Sequence, residues 1–414
     1  MAGGGQETYV ILGAGLAGYS AASTLRLKGF DGRIVLIGGE PVPPYERPPL
    51  SKAFLQGKKS SNELVFQPAG HFEQELRVEL RLNRLAVGLD LAARRLSLDD
   101  GATLAYDKLL IATGASPIRL RGHGFELPGV RYLRTLADAE SLMALLSARQ
   151  RVVVIGAGFI GSEAAASLRV LGHDVTLVDV QPAPLSGPLG ERLGAIYAEI
   201  HRRNGVTLHM ADRVTALHGD KHVEAAELAG GARIPCDLVV VGVGVRPAVE
   251  LFAESGLKID NGIVCDEFCR SSDPHVYAAG DVANWWHAGL QRRLRVEHYD
   301  NAALQGAAAA SAMLGQGEPY SPLPYFWSDQ YDTNLQYVGY PIPWDDLVLR
   351  GDTQAPSLAA FYLKDGAVTA AATINRPREL RSVRRIVEAG ACLDPAVLAD
   401  EQTDLRALSR NLPA

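Results

Sequence analysis

Apolar positions along this chain fall into a pattern that repeats. Tyr9-Val10-Ile11-Leu12 is an unbroken apolar run that stops at Gly13-Ala14-Gly15-Leu16-Ala17-Gly18. A run so short, closed by glycine, predicts a strand buried on both faces, because a half-buried strand would alternate. An alanine-rich stretch to about Lys28 predicts a helix, and Arg33 to Ile37 predicts a second strand. The succession returns with Val152-Val153-Val154-Ile155, then Gly156-Ala157-Gly158-Phe159-Ile160-Gly161, a helix to about Leu171 and a strand from Asp174 to Val178 that ends at Asp179. Three further apolar runs also end in glycine: Leu109-Leu110-Ile111-Ala112-Thr113-Gly114, Val239-Val240-Val241-Gly242-Val243-Gly244 and Val276-Tyr277-Ala278-Ala279-Gly280-Asp281. Such ends either let backbone pass close to a ligand or are plain turns after buried strands.

A strand, a Gly-x-Gly-x-x-Gly turn, a helix and a second strand form the dinucleotide-binding fingerprint. The first glycine permits the tight turn, the second lets backbone amides approach a pyrophosphate, and the third lets helix pack close to strand. The helix N-terminus then faces the phosphates with positive potential. One such string is weak evidence, but two in full context are strong. Asp179 lies at about the 20-residue spacing expected of a carboxylate that accepts ribose hydroxyls. Val180-Gln181-Pro182-Ala183-Pro184 offers no Arg or Lys to a 2′-phosphate, which favours NADH over NADPH. Glu40 follows Gly38-Gly39 later than that spacing, so ribose contact and a solvated loop glutamate both stay open.

Composition narrows the class. The 414 residues are 47% hydrophobic and 21% charged, as expected of a globular chain of two to three domains. A formal net charge of -6 gives no basic field for nucleic acid. Met1 to Thr8 has no basic or apolar region of a signal peptide, and no stretch approaches the ~20 apolar residues of a membrane span, so a cytoplasmic enzyme is expected. The four cysteines, Cys236, Cys265, Cys269 and Cys392, form no Cys-x-x-Cys pair and no zinc spacing, so neither a disulfide scaffold nor a metal site is expected. Cys265 and Cys269 read as small half-buried residues flanking a short strand.

The two fingerprints, the Ala-Thr-Gly strand end and the late Ala-Gly-Asp together resemble the pyridine-nucleotide flavoproteins of glutathione reductase fold. Within them, Pro44-Tyr45-Glu46-Arg47-Pro48-Pro49-Leu50-Ser51-Lys52, Tyr132-Leu133-Arg134-Thr135, Arg295-Val296-Glu297 and Phe326-Trp327-Ser328-Asp329-Gln330 resemble the ferredoxin reductases of oxygenase systems. The resemblance covers almost the whole chain. It implies an α/β fold of two Rossmann-type domains, binding FAD and NAD(P), plus an α+β C-terminal domain. The FAD-binding domain would be discontinuous, residues 1–114 and 241–321. The NAD-binding domain would span 115–240 and a C-terminal interface domain 322–414.

Site residues follow from the same resemblance. Gly13, Gly15, Leu16, Ala17 and Gly18 would face the FAD pyrophosphate, with Glu40 on the ribose and Arg134 and Asp281 on the pyrophosphate and ribityl regions. Arg47, Ala86, Ala112, Thr113, Gly114, Gly280, Glu297, Tyr299 and Trp327 would complete the FAD contacts. Gly156, Gly158, Phe159, Ile160, Gly161, Asp179, Gly242 and Gly244 would hold NADH. Lys52 would lie near flavin N5 and pair with Glu163 near the nicotinamide, these two being the catalytic residues; without the family, Lys52 would read as a solvated loop lysine. Gly39 stands where relatives often carry a second acid, and Tyr299 where many dioxygenase reductases have Trp.

The implied reaction passes hydride from NADH to FAD and then single electrons to a [2Fe–2S] ferredoxin that feeds a mono- or dioxygenase. Disulfide reductases and the peroxidase branch carry cysteine just after the first fingerprint, where this chain has the proline-rich segment Pro41 to Lys52. Two alternatives remain: a quinone or oxygen reductase, and an NADH-sensing interaction protein like apoptosis-inducing factor, which shares Arg-Val-Glu-His. The implied ferredoxin is acidic, so a local basic patch must receive it. Asn375 to Arg385 carries five arginines, and a helix after Pro377 would place Arg378, Arg381 and Arg385 on one face, either as a docking patch or as a solvated surface.

Overall fold

The computed structural model describes residues 7–412, so the reading of Met1 to Gln6 lies outside the described residues. Two compact units divide the chain. The first comprises residues 7–46, 62–116 and 245–324, and the second 47–61, 117–244 and 325–412.

In the first unit, five parallel strands lie in the order Val276–Ala278, Lys108–Ile111, Thr8–Leu12, Arg33–Ile37, Val78–Arg81. In the second unit, five parallel strands repeat that layout as Val130–Tyr132, Leu238–Val241, Arg151–Ile155, Asp174–Asp179, Thr207–Met210. Each fingerprint strand is central and fully buried apart from its first residue, which is why its sequence is a continuous apolar run. Each repeat also carries a three-stranded antiparallel meander: Ala86–Asp90, Arg95–Leu98 and Thr103–Ala105 in the first, and Val214–His218, Ala225–Leu228 and Arg233–Pro235 in the second. The fingerprint helices run Leu16–Leu27 and Phe159–Val170, within a residue of the boundaries expected from alanine spacing. Against the first of them packs the long helix Tyr299–Met313, and its Gly306 makes the approach possible, since a Cβ there would stand 2.2 Å from the Ala17 carbonyl oxygen.

The second unit also holds a five-stranded antiparallel sheet, in the order Tyr325–Gln330, Thr333–Gly339, Ala367–Ile374, Ser357–Lys364, Asp346–Asp352. Leu185, Leu189, Leu193, Tyr197 and Ile200 share one hydrophobic core with Leu335, Leu347, Tyr362 and Ile374 of this sheet. Residues 47–61, expected within the FAD-binding domain, belong to this unit because Ser51, Lys52 and Gln56 bond to the second fingerprint helix.

One sequence expectation needs correction. Cys265 and Cys269 are fully buried, not half-buried. Cys265 ends the strand Ile263–Cys265, while Cys269 occupies a turn at φ 62°, and burial pushes both thiols up. Among the described residues no helix is long and apolar enough to cross a membrane, and no cluster of His, Cys, Asp and Glu could hold a metal.

Candidate functional site

The two glycine turns are built alike. Gly13 and Gly156 have φ of +122° and +101°, a region that favours glycine, and a Cβ at either would collide with the carbonyl oxygen of Ala112 (2.0 Å) or Gly242 (2.3 Å). A Cβ at Gly18 or Gly161 would collide with its own turn, at 2.0 Å from Gly13 O and 1.8 Å from Gly156 O. The middle glycines differ. A Cβ at Gly15 or Gly158 would meet nothing within 4 Å. Each of these is also the N-cap of its helix and offers no side-chain cap to the first backbone amides. Open space in front of uncapped amides at a helix N-terminus is the cradle a pyrophosphate requires, so both turns fit a dinucleotide.

In the first unit the cradle stands at the carboxyl ends of the parallel strands, where ligands bind in open α/β sheets. Backbone bonds stitch those ends together: Gly13 N donates to Ile37 O, Ala112 N to Leu12 O and Ala279 N to Ile111 O. Thr113 Oγ1 donates to Ala248 O at 2.9 Å, and the Ala248 amide returns a bond to Gly114 O. Gly280 N donates to the buried Gln305 Oε1, which fixes the turn that carries Asp281. Glu40 Oε2 accepts from Tyr45 at 2.7 Å, so this glutamate is held and not a loose loop residue. Ala86 opens its meander, Glu297 pairs with Arg295 at 2.6 Å, and Tyr299 starts the long helix. Burial, reinforced by Glu46, pushes the Tyr299 phenol up to about 12.

In the second unit Asp179 ends its strand with both carboxylate oxygens engaged. Oδ2 accepts from the Ala157 amide inside the glycine turn, and Oδ1 accepts from Gln181 N at 2.7 Å. An ionised carboxylate has about four lone-pair sites, so two remain for ribose hydroxyls. Gly242 N donates to Ile155 O and seats that turn beside the glycines, while Gly244 O accepts from Ile118 N. Ile160 is 43% exposed. The Phe159 ring lies edge-on to Phe326 at 4.7 Å and packs on the core of the C-terminal sheet.

The charged centre of this unit lies on the second fingerprint helix. Glu163 is buried, and Lys52 Nζ reaches its Oε1 at 3.2 Å while standing 5.5 Å from the Trp327 ring centre. Ser328 donates to the same Oε1 at 2.7 Å, and Ser51 donates to Oε2 at 2.5 Å. One turn on, Ser167 donates to Ser51 O and accepts from Gln56 Nε2, so a single face of the helix clamps the Pro48–Ser51 turn that presents Lys52. Burial pushes the Glu163 carboxyl up, opposed by the Lys52 charge and the two hydroxyls. Arg47 donates to Arg134 O, and the Arg134 amide donates to Asp138, whose carboxylate forms a capping box with Thr135.

Sequence reasoning paired Lys52 with Glu163 and missed Ser51 and Ser328. The available signal was strand alternation, which places Phe326, Ser328 and Gln330 on one face of their strand.

Comparison with known proteins agrees with this geometry. Rhodocoxin reductase of Rhodococcus erythropolis is 37% identical over 96% of this chain and 93% of its own length. The anthranilate 1,2-dioxygenase system ferredoxin–NAD(+) reductase component of Burkholderia cepacia is 39% identical over 97% and 98%. Among solved structures, the covalent putidaredoxin reductase–putidaredoxin complex matches with a TM-score of 0.94 and 34% identity, covering 99% of this chain and 100% of the matched one. Residues 7–306 match the pyridine nucleotide-disulphide oxidoreductase family, and residues 325–409 match the reductase C-terminal domain. The chain belongs to the pyridine nucleotide-disulphide oxidoreductase family, in the branch that ends in a reductase C-terminal domain.

Proposed function

We propose that this chain is an NADH-dependent ferredoxin reductase, which takes electrons from NADH through FAD and delivers them to a [2Fe–2S] ferredoxin serving an oxygenase in the cytoplasm. The observation that carries this reading is likeness over 97–98% of the chain to proteins named as ferredoxin reductases. The absence of cysteine from the first 235 residues agrees with it, because sulfur-coupled relatives need a thiol beside the flavin.

Bound FAD supplies the conversion of one hydride from NADH into two single electrons. The chain supplies binding, orientation and charge. We assign FAD to the first glycine turn, with Glu40, Thr113 and Asp281, and NADH to the second, with Asp179 on its ribose. On this assignment residues 1–114 and 241–321 form the FAD-binding domain, 115–240 the NAD-binding domain and 322–414 the interface domain. By its likeness to the family motif, Lys52 would lie near flavin N5, with its charge held by the buried Glu163. Trp327, Arg47 and Arg134 would contribute to flavin binding on the same ground.

The test is rapid mixing of the flavin-loaded protein with NADH, followed by titration with a [2Fe–2S] ferredoxin from an oxygenase system. Fast bleaching of the flavin and ferredoxin-dependent turnover are expected. Slow reduction ending in a long-lived charge-transfer band would instead indicate an NADH sensor and refute the reductase reading.

A further inference from the structure

Residues 185–190 precede the helix Glu191–Arg203 in the connection from Asp179, and both ends of this segment are held. At its start the Leu185 amide donates to the Ala157 carbonyl at 2.9 Å, inside the second glycine turn. Leu185 is buried and has φ 58°, a left-handed conformation that is uncommon for a bulky side chain and persists only where the surroundings impose it. At the far end those surroundings are the C-terminal sheet. The buried Tyr362 hydroxyl donates to Leu189 O at 2.9 Å and satisfies a carbonyl that the short helix Ser186–Leu189 leaves open. Trp344 packs over the same corner. Its ring stands edge-on to Tyr362 at 5.4 Å, and so close to Gly190 that a Cβ there would lie 2.8 Å from it. Arg192 adds a bond to Leu347 O at 2.6 Å.

What the start of the segment fixes is the direction of one peptide. Ala157 O also accepts from the buried Ser162 hydroxyl at 3.1 Å, and the Ala157 amide donates to Asp179. In a trans peptide the carbonyl and the following amide point opposite ways, so holding Ala157 O turns the Gly158 N–H away from Leu185 and Ser162. That amide has no protein partner among the described residues, and it belongs to the position where a Cβ would meet nothing within 4 Å. The first glycine turn lacks this tie. Among the described residues nothing donates to Ala14 O, its counterpart of Ala157 O.

We propose that Tyr362 and Trp344 are positioning residues for the nicotinamide dinucleotide: through residues 185–190 the C-terminal sheet holds the Ala157 carbonyl and so aims the Gly158 amide at the pyrophosphate. The proposal rests on the reading above that NADH occupies the second glycine turn. Tyr362 and Trp344 act at the far end of the segment, and the conformation of Leu185 is what makes that end matter. A residue held in an unfavourable conformation relaxes once its restraints loosen, and relaxation here moves the amide that holds Ala157 O. FAD at the first turn has no such dependence, because the Ala14 carbonyl carries no tie of this kind.

The test uses the flavin-loaded protein and ADP-ribose, which carries the pyrophosphate but cannot reduce a flavin, with binding read by calorimetry. Tyr362→Phe keeps the ring and removes the hydroxyl, so ADP-ribose should bind about five-fold more weakly, the factor of one lost hydrogen bond. Trp344→Ala should weaken binding in the same direction, and Trp344→Phe, which keeps a ring over Gly190, should restore most of it. Rapid mixing with NADH should place the loss in the dissociation constant rather than in the limiting rate of flavin reduction. Flavin retention should match wild type in all three variants. Wild-type affinity for ADP-ribose in both Tyr362→Phe and Trp344→Ala would overturn the proposal alone. An equal loss of flavin would overturn it too, because the whole fold would then have loosened. If Tyr362→Phe does not fold, the two Trp344 variants decide, since that ring is 39% exposed. Failure of ADP-ribose to bind the wild type would remove the dinucleotide from this turn and sink the reading beneath the proposal as well.

Discussion

A buried carboxylate with a lysine on one side and hydroxyls on the others stays ionised only while those partners remain. Burial raises the Glu163 carboxyl above its ordinary 4.5, so the folded protein holds that proton more tightly than the unfolded chain does. For such a group the stabilising contribution is complete below the unfolded value and declines as pH rises toward the folded one. Lys52→Met removes the strongest opposing charge and raises the folded value further. Its loss of stability against wild type should therefore be small near pH 5 and grow toward pH 8, to at most about 3–5 kcal/mol. Thermal scans at several pH values check this, and a deficit that ignores pH would show that the pair is not ionic. Asp179 invites a second residue-scale test. Asp179→Ser with Val180→Arg removes the ribose acceptor and supplies a phosphate partner, so the preference for NADH over NADPH should fall or invert. The same change strips the Ala157 amide of its acceptor, so a modest drop in melting temperature should accompany it. At this scale the sequence marked residues whose position is tied to a motif, such as Asp179 and Lys52. It hid Ser51 and Ser328, because a serine on a turn or a strand looks like any other until folding brings both onto Glu163.

The glycine turns show why some elements were legible to within a residue. Each position in them answers to a local constraint, a positive φ or a backbone collision, which sequence alone implies. Middle and last glycines consequently make different predictions. Gly18→Ala would drive a methyl into Gly13 O, so the helix must shift, and the protein should lose both melting temperature and flavin. Gly15→Ala meets no protein atom, so the apoprotein should melt at the wild-type temperature while flavin affinity falls, because the methyl occupies the proposed pyrophosphate space. Differential scanning with and without FAD separates the two, and equal flavin affinity in Gly15→Ala would remove the phosphate from that turn. The turn at Cys269 was not legible, since no glycine marks its left-handed backbone and it is held by Asp266, which accepts from the Phe268, Cys269 and Arg270 amides. Likewise the helix expected after Pro377 begins at Leu380, so Arg378 precedes it in the connecting turn.

At the scale of the whole molecule, charge poses the remaining question. A net charge of -6 would not draw a ferredoxin as acidic as the family resemblance implies, so encounter with such a partner would depend on local basic surface. The arginine run after Asn375 supplies less free charge than its count suggests. Arg376 pairs with Glu379 and Glu401, and Arg384 pairs with Glu388. Arg378, Arg381 and Arg385 are exposed and have no ion pair among the described residues. Exposed charges screen beyond a Debye length of about 8 Å at physiological salt, so a docking role has a signature that a solvated surface lacks. Reversal of Arg381 and Arg385 to Glu should raise the Michaelis constant for ferredoxin several-fold at low salt and flatten its dependence on ionic strength. Turnover with ferricyanide should hold, since that small acceptor needs no protein docking surface. A parallel fall in both reactions would mean that the substitutions disturb the helix, whose Val383, Ile386 and Val387 are buried. An unchanged salt dependence would move the docking site elsewhere on the chain.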